Sequence, residues 1–214
     1  MPHESRGRFI VIEGPEGAGK STQVWRLGAA LRERGYEAVL TYEPGGTPMA
    51  DAIRRIFLSG DHAEITPLTE LFLICASRAQ HVAEVIRPTL EQGKMVICDR
   101  FSPSTIVYQA YAGGVPLATA QAVDEAARQG LLPDLTIILD VPAEVGLGRN
   151  RTSHDADRME GKGLEFHRRV REGYRRYAET AGEPCVAIEA EAGEDEVAAR
   201  VLAAVLAGLP QSEP

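Results

Sequence analysis

Eight consecutive residues, Gly14-Pro15-Glu16-Gly17-Ala18-Gly19-Lys20-Ser21, fit the pattern G-x-x-x-x-G-K-[ST]. Glycines at these positions let backbone N–H groups close on phosphate oxygens where a Cβ would collide. Lys20 then reaches the β- and γ-phosphates, and the Ser21 hydroxyl is placed to ligate Mg²⁺. The loop begins where an apolar run, Phe9-Ile10-Val11-Ile12, ends in Glu13, and it opens a helix whose N-terminal dipole adds to the anion site. In this strand–loop–helix setting the pattern predicts a bound nucleoside triphosphate. A glycine turn that fits by accident is the weak alternative.

A second chemical pair follows another apolar run, where Val96-Ile97-Cys98 delivers Asp99 and Arg100 side by side. At the carboxyl end of a strand, an acid so placed is expected near the metal of a phosphate-binding loop. Glu43-Pro44-Gly45-Gly46-Thr47 ends a further strand at the same edge, although Pro-Gly-Gly alone would only mark a turn. The polar segment 150–163 has the length of a lid, and Arg149, Arg151 and Arg158 fall in or beside it. The competing account of these arginines is a solvated, salt-bridged surface, which claims several of the charges between 148 and 176.

Positioning these groups requires a parallel sheet. Strands are predicted at 9–12, 38–42, 95–98, 135–139 and 184–188, alternating with helices near 20–34, 49–58, 68–91, 104–111, 117–129, 143–149, 164–180 and 194–206. Pro88 is expected to kink the longest helix. Residues 1–214 read as one α/β domain with a lid at about 150–163 and a disordered tail at about 210–214. A net charge of −8 argues against nucleic acid or an anionic membrane as partner. The polar start and the lack of a long apolar run predict a cytoplasmic chain. Cys75, Cys98 and Cys185 lack metal or redox spacing and read as small packing residues, and the five histidines show no zinc pattern.

Together, these segments resemble the thymidylate kinases, nucleoside monophosphate kinases that phosphorylate dTMP. The resemblance runs through Ile12-Glu13 and Gly14 to Thr22, Glu43 to Thr47, Ala76-Ser77-Arg78, Cys98-Asp99-Arg100, Tyr108-Gln109, Leu132 to Thr136, and Asp157-Arg158-Met159-Glu160. It implies a three-layer P-loop fold with strand order 2-3-1-4-5, a homodimer, and transfer from ATP·Mg²⁺ to dTMP. By the same resemblance, Gly14 to Thr22 and Arg149 hold ATP, while Ser21 and Asp99 hold the metal. Glu16 lies beside the sugar 3′-hydroxyl and acceptor phosphate, Arg100 grips that phosphate, and Arg78 bonds a thymine carbonyl. Thr105 and Gln109 read the base, and their i, i+4 spacing on one helix supports this independently. Glu43, Ile74 and Tyr108 complete the acceptor pocket, and Pro44, which can follow a cis bond, stands near the thymine methyl. With no arginine in the phosphate loop, Arg149 or Arg151 is expected to reach the transferring group.

Two positions depart from the family pattern. Tyr42 stands where an arginine usually precedes Glu-Pro, and Ile74 stands where a phenylalanine usually stacks on thymine. A neighbouring aromatic, Phe72 or Phe101, is then the candidate to supply the stack. Alternatives to a dTMP kinase are a kinase for another pyrimidine monophosphate such as dUMP, a non-catalytic nucleotide-binding switch, and a catalytically weak paralogue.

Overall fold

The computed structural model describes residues 6–59, 65–150 and 158–208. Arg151, most of the expected lid and the tail at 210–214 lie outside them. Five parallel strands, β1 (Phe9–Glu13), β2 (Ala38–Tyr42), β3 (Met95–Asp99), β4 (Leu135–Asp140) and β5 (Cys185–Glu189), form one sheet in the order β2-β3-β1-β4-β5. That is the order the family resemblance implies.

Because side chains alternate across a strand, β1 feeds two cores at once. Ile10 and Ile12 pack with Ile97, Ile137 and Leu139 under α1 (Lys20–Arg32) and α9 (Glu194–Gly208). Phe9 and Val11 face the other way, against Val82, Ile86, Leu90 and Phe101. The in-register pairs Ile12↔Asp99 and Tyr42↔Asp99 bring the carboxyl ends of three strands to one edge, where Glu13, Asp99 and Glu43 emerge together. Parallel pairing therefore gathers the acids from distant parts of the sequence.

The expected helix at 68–91 divides into α3 (Pro67–His81), a π-helical turn at Val82–Ile86 and α4 (Arg87–Glu91). Pro88 has no N–H to give the carbonyl of Glu84, and the Arg87 amide bonds five residues back to Val82. The distortion is thus a widened turn ahead of the proline, where a simple kink was expected. The helix expected at 104–111 starts earlier, as α5 (Ser102–Thr105), and widens into a second π-helical segment at Ile106–Ala112. The remaining helices are α2 (Pro48–Leu58), α6 (Leu117–Arg128), α7 (Ala143–Asn150) and α8 (Leu164–Thr180). No helix among the described residues is long and apolar enough to cross a membrane.

The phosphate-binding loop is clamped from behind by α7. A Cβ on Gly146 would sit 2.1 Å from the Glu16 carbonyl oxygen, and one on Gly17 would sit 1.9 Å from the Gly146 carbonyl oxygen. Neither backbone can yield without displacing the loop. Gly146→Ala is therefore expected to cost about 1–3 kcal/mol, the range for overpacking. That would lower the thermal midpoint by roughly 2–4 °C per kcal/mol in a chain of this size. A melting curve of the variant that matched wild type would mean the loop and α7 can separate freely.

Candidate functional site

The strand ends open into one cleft of about 1390 Å³, which is more than a single nucleotide needs. At one end lie Glu16, Gly17, Ala18, Gly19, Lys20, Ser21 and Thr22, with Arg149 opposite them. At the other lie Glu43, Pro44, Ile74, Arg78, Tyr108 and Gln109. Asp99 and Arg100 also line the cleft. Gly14 and Pro15 serve from behind. The Gly14 carbonyl accepts from Arg100 Nη1 at 3.2 Å, and the Pro15 carbonyl accepts from Lys20 Nζ at 2.7 Å.

Lys20 is buried beneath the loop, so its ammonium is pre-placed but poorly solvated. Burial, with Arg100 nearby, depresses it to about 8, against the opposing pull of Asp99, Glu16 and Glu13. Ser21 Oγ donates to Asp99 Oδ2 at 2.5 Å. A hydroxyl and a carboxylate converging beside the phosphate loop are hard oxygen donors that suit Mg²⁺, which keeps much of its shell as water. No group of three or more His, Cys, Asp or Glu side chains able to hold a metal occurs among the described residues.

Arg100 adopts φ 72, an uncommon conformation for a residue with a Cβ, and this turns its side chain back across the cleft. Nη1 donates to Ser104 at 3.1 Å and to Tyr174 Oη at 3.0 Å; Nη2 donates to Glu16 at 3.2 Å and to Tyr108 Oη at 3.3 Å. Glu13, fully buried at the end of β1, holds the bend. Its carboxylate accepts from the Phe101 and Ser104 amides at 2.7 and 3.2 Å, and from the Ser104 and Tyr174 hydroxyls at 2.7 Å each. Burial raises the Glu13 carboxyl despite Arg100. Glu16 is displaced the other way: burial would raise it, but Arg100, a hydrogen bond with His167, Lys20 and Tyr108 hold it far below the usual carboxylate range.

The far end of the cleft is equally braced. Arg78, 1% exposed, donates through Nε to Glu43 at 2.8 Å and through Nη1 to Thr105 at 2.8 Å, and it pairs with Asp124. Thr105, expected to read the base, is wholly buried and supports Arg78 from outside the cleft lining. Gln109 does line the cleft, from the π-helical segment that also presents Tyr108. The peptide bond between Glu43 and Pro44 is cis.

Ile74 also lines the cleft, but neither expected aromatic neighbour accompanies it. Phe72 is 54% exposed on the outer side of α3, and Phe101 is buried against Phe9 and beneath Arg78. Besides Tyr108, an aromatic residue that joins Ile74 in the cleft wall is Phe57 of α2, which the sequence reading missed. Arg158 likewise is not among the residues that line the cleft. Its Nε donates to the Phe57 carbonyl at 2.9 Å and its Nη1 to Glu70 at 2.6 Å, which ties it to α2 and α3. Arg149 Nη1 donates to the carbonyls of Gly17 at 3.4 Å and Ala190 at 3.1 Å, which places it at the phosphate-loop end. Glu13, Tyr174 and Gly146 were not anticipated either; only Glu13 had a sequence signal, as the acid that closes the first apolar run. The three thiols are free, and burial pushes Cys75 up to about 11 and Cys185 up to about 12.

Comparison with known proteins agrees with this geometry. The family model described as thymidylate kinase matches residues 12–201. A thymidylate kinase from Geotalea uraniireducens is 44% identical over 211 residues, covering 96% of this chain and 99% of its own. Another, from Rhodopseudomonas palustris, is 48% identical over 205 residues, covering 94% and 89%. A crystal structure of thymidylate kinase from Ehrlichia chaffeensis superposes with a TM-score of 0.74 at 31% identity, covering 94% of this chain and 99% of that one.

The depressed lysine makes a prediction with a definite sign. With the site empty, Lys20 loses its proton near pH 8, whereas a bound polyphosphate favours the ammonium and returns it towards 10.5. Between those values, triphosphate binding must therefore take up a proton, and affinity must fall as pH rises through 8. Calorimetric titration at pH 9 in buffers of different ionisation enthalpy measures the uptake directly. Observed heats that do not vary with the buffer's ionisation enthalpy would remove Lys20 from the linkage.

Proposed function

The chain belongs to the thymidylate kinase family, and we propose that its cleft holds ATP over the phosphate loop and dTMP at the far end, with Arg100 between them. It transfers a phosphate from ATP to dTMP, giving dTDP and ADP. One observation carries the assignment of ends: Arg100 is fixed between Glu16 of the phosphate loop and Tyr108 of the far wall, at hydrogen-bonding distance from both. A planar guanidinium there suits an acceptor phosphate.

Phosphoryl transfer asks the protein mainly to align two anions and neutralise developing charge. Lys20 and the backbone amides of the loop take the β- and γ-phosphates. Ser21 and Asp99 would hold Mg²⁺, which when bound neutralises charge on the donor phosphates. The acceptor phosphate oxygen is already anionic near neutral pH, so no general base is needed. Glu16, kept ionised, orients Arg100 and Tyr108 and offers a remaining lone pair to a sugar hydroxyl. Arg78 donates to a thymine carbonyl, with Glu43 and Thr105 holding it. Gln109 reads the ring nitrogen beside that carbonyl. Ile74 and Phe57 cover the base, and Pro44 stands near its methyl group. Arg149 serves the donor side, and Arg151 is the second candidate for the transferring group. A kinase for dUMP is the alternative, since one methyl gives only about 1–3 kcal/mol of discrimination.

The exposed apolar residues fit a homodimer. Met49 and Ile56 on α2, and Leu68 and Phe72 on α3, lie on two packed helices, and a second copy is the occupant proposed for them. Light scattering after size exclusion is expected to give twice the chain mass. Phe72→Glu should shift it to the monomer.

Two measurements test the catalytic reading. Lys20→Ala is expected to lower kcat by at least about 100-fold, the scale for one charge-stabilising donor, while dTMP binding changes little. In a panel of monophosphates with ATP and Mg²⁺, dTMP should exceed dAMP and dGMP by orders of magnitude and dUMP by roughly ten- to a hundredfold in kcat/KM. Faster turnover of a purine would overturn the acceptor assignment.

A further inference from the structure

Glu70 of α3 is a buried acid that the transfer itself does not use. Its side chain is 1% exposed. Oε1 accepts from Arg158 Nη1 at 2.6 Å and Lys162 Nζ at 2.7 Å, while Oε2 accepts from Gln109 Nε2 at 3.2 Å. Burial would raise this carboxyl, but hydrogen bonds from Lys162 and Arg158 hold it below its ordinary value.

An ionised carboxylate can only accept hydrogen bonds, so it admits one orientation of the Gln109 amide, with the NH₂ towards Glu70. The atom left over is Gln109 Oε1. It is buried, has no hydrogen-bond partner, and belongs to a side chain that lines the cleft. We infer that Glu70 is a positioning residue that fixes the Gln109 amide as an acceptor towards the base, so that the pocket selects a pyrimidine with a hydrogen at N3.

The inference rests on the dTMP reading and adds a direction to it. Thymine and uracil carry N3–H, which would complete the orphan Oε1. Cytosine carries a lone pair at N3, which would face the Oε1 lone pairs and leave both groups unpaired where water is excluded. With a neutral amide in place of the carboxylate, the Gln109 amide could turn over with little cost, since its new neighbour could donate or accept. Arg158 and Lys162 do for Glu70 what Glu70 does for Gln109: they neutralise it and hold both its position and its charge. Arg158 precedes the short turn at 160–162 and Lys162 ends it, at the C-terminal root of segment 150–163, so this root and the base-reading amide share one carboxylate.

Glu70→Gln keeps the shape and removes the directional constraint. Steady-state kinetics with dTMP and dCMP at saturating ATP and Mg²⁺ should show KM for dTMP rising by about tenfold, with kcat within about threefold of wild type. The dTMP:dCMP ratio of kcat/KM should fall by at least about tenfold. General loosening of the fold would instead lower both substrates together and leave the ratio within about twofold, and that result overturns the proposal. If E70Q does not fold, the double variant E70Q/R158M removes the more buried of the two cations left without their carboxylate and carries the same expectation. Failure of wild type to prefer dTMP over dCMP overturns the acceptor reading and this proposal together. A selective wild type with an equally selective variant overturns only the role of Glu70.

Discussion

Arg100 is a cation set among carboxylates in the cleft wall between the phosphate loop and the far end, and its side chain is only 17% exposed. A guanidinium in such a place is favourable only if its donors are spoken for and its charge is balanced. Here Gly14, Ser104, Tyr174, Glu16 and Tyr108 take those donors. The arrangement depends in turn on Glu13, which pins the Phe101 and Ser104 amides directly after the φ 72 bend. The phosphate loop, the far wall and α8 are therefore tied through one side chain. Displacing Arg100 would leave Glu16 as a buried charge without its main partner.

The parts of this arrangement visible in the sequence are those governed by local rules. Apolar runs closed by acids located β1 and β3, and the spacing of glycines located the phosphate loop. The sheet order came from family resemblance, because no local pattern states which parallel strands are neighbours. The missed features are those set by what one element meets from another. Gly146 is an ordinary helical glycine until Glu16 packs against it, and Tyr174 is one of several polar residues on α8 until it reaches Glu13. Thr105 and Arg158 were legible as polar residues near the site but not as supports, since that depends on where Arg78 and Glu70 lie. The π-helical segments were illegible for a related reason: helical periodicity over so few residues does not distinguish 3.6 from a wider turn.

The two departures from the family pattern have a local explanation in α2. Tyr42 leaves its corner of the cleft without a cation of its own, but Arg54 lies with Cζ 5.2 Å from the centre of the Tyr42 ring and lines the cleft. Asp51 accepts from the Tyr42 hydroxyl and from the Gly46 amide at 3.0 Å each, so ring and turn are held together. Arg54 is further fixed by donating to the Pro44 carbonyl at 2.9 Å. One turn further along α2, Phe57 brings an aromatic ring to the cleft wall beside Ile74. Tyr42 and Ile74 stand where the resemblance implies an arginine and a phenylalanine, and α2 brings a guanidinium and a ring to the same wall.

The charge of the whole molecule and the charge of the cleft obey different requirements. A chain with net charge −8 repels polyanions at long range, but that field is largely screened beyond about 8–10 Å at physiological ionic strength. Inside the cleft the relevant charges are Lys20, Arg54, Arg78, Arg100 and Arg149; Arg78 and Arg100 are held by carboxylates, and Lys20, Arg54 and Arg149 by backbone carbonyls. Paired cations of this kind bind an anion less strongly than bare ones, because each partner carboxylate opposes it. What the pairing supplies is geometry, since a guanidinium already held by Glu43 or Glu16 has little rotational freedom left to lose when a substrate arrives. An acidic chain can therefore hold two anionic nucleotides in register, provided that its few cations are fixed before either one binds.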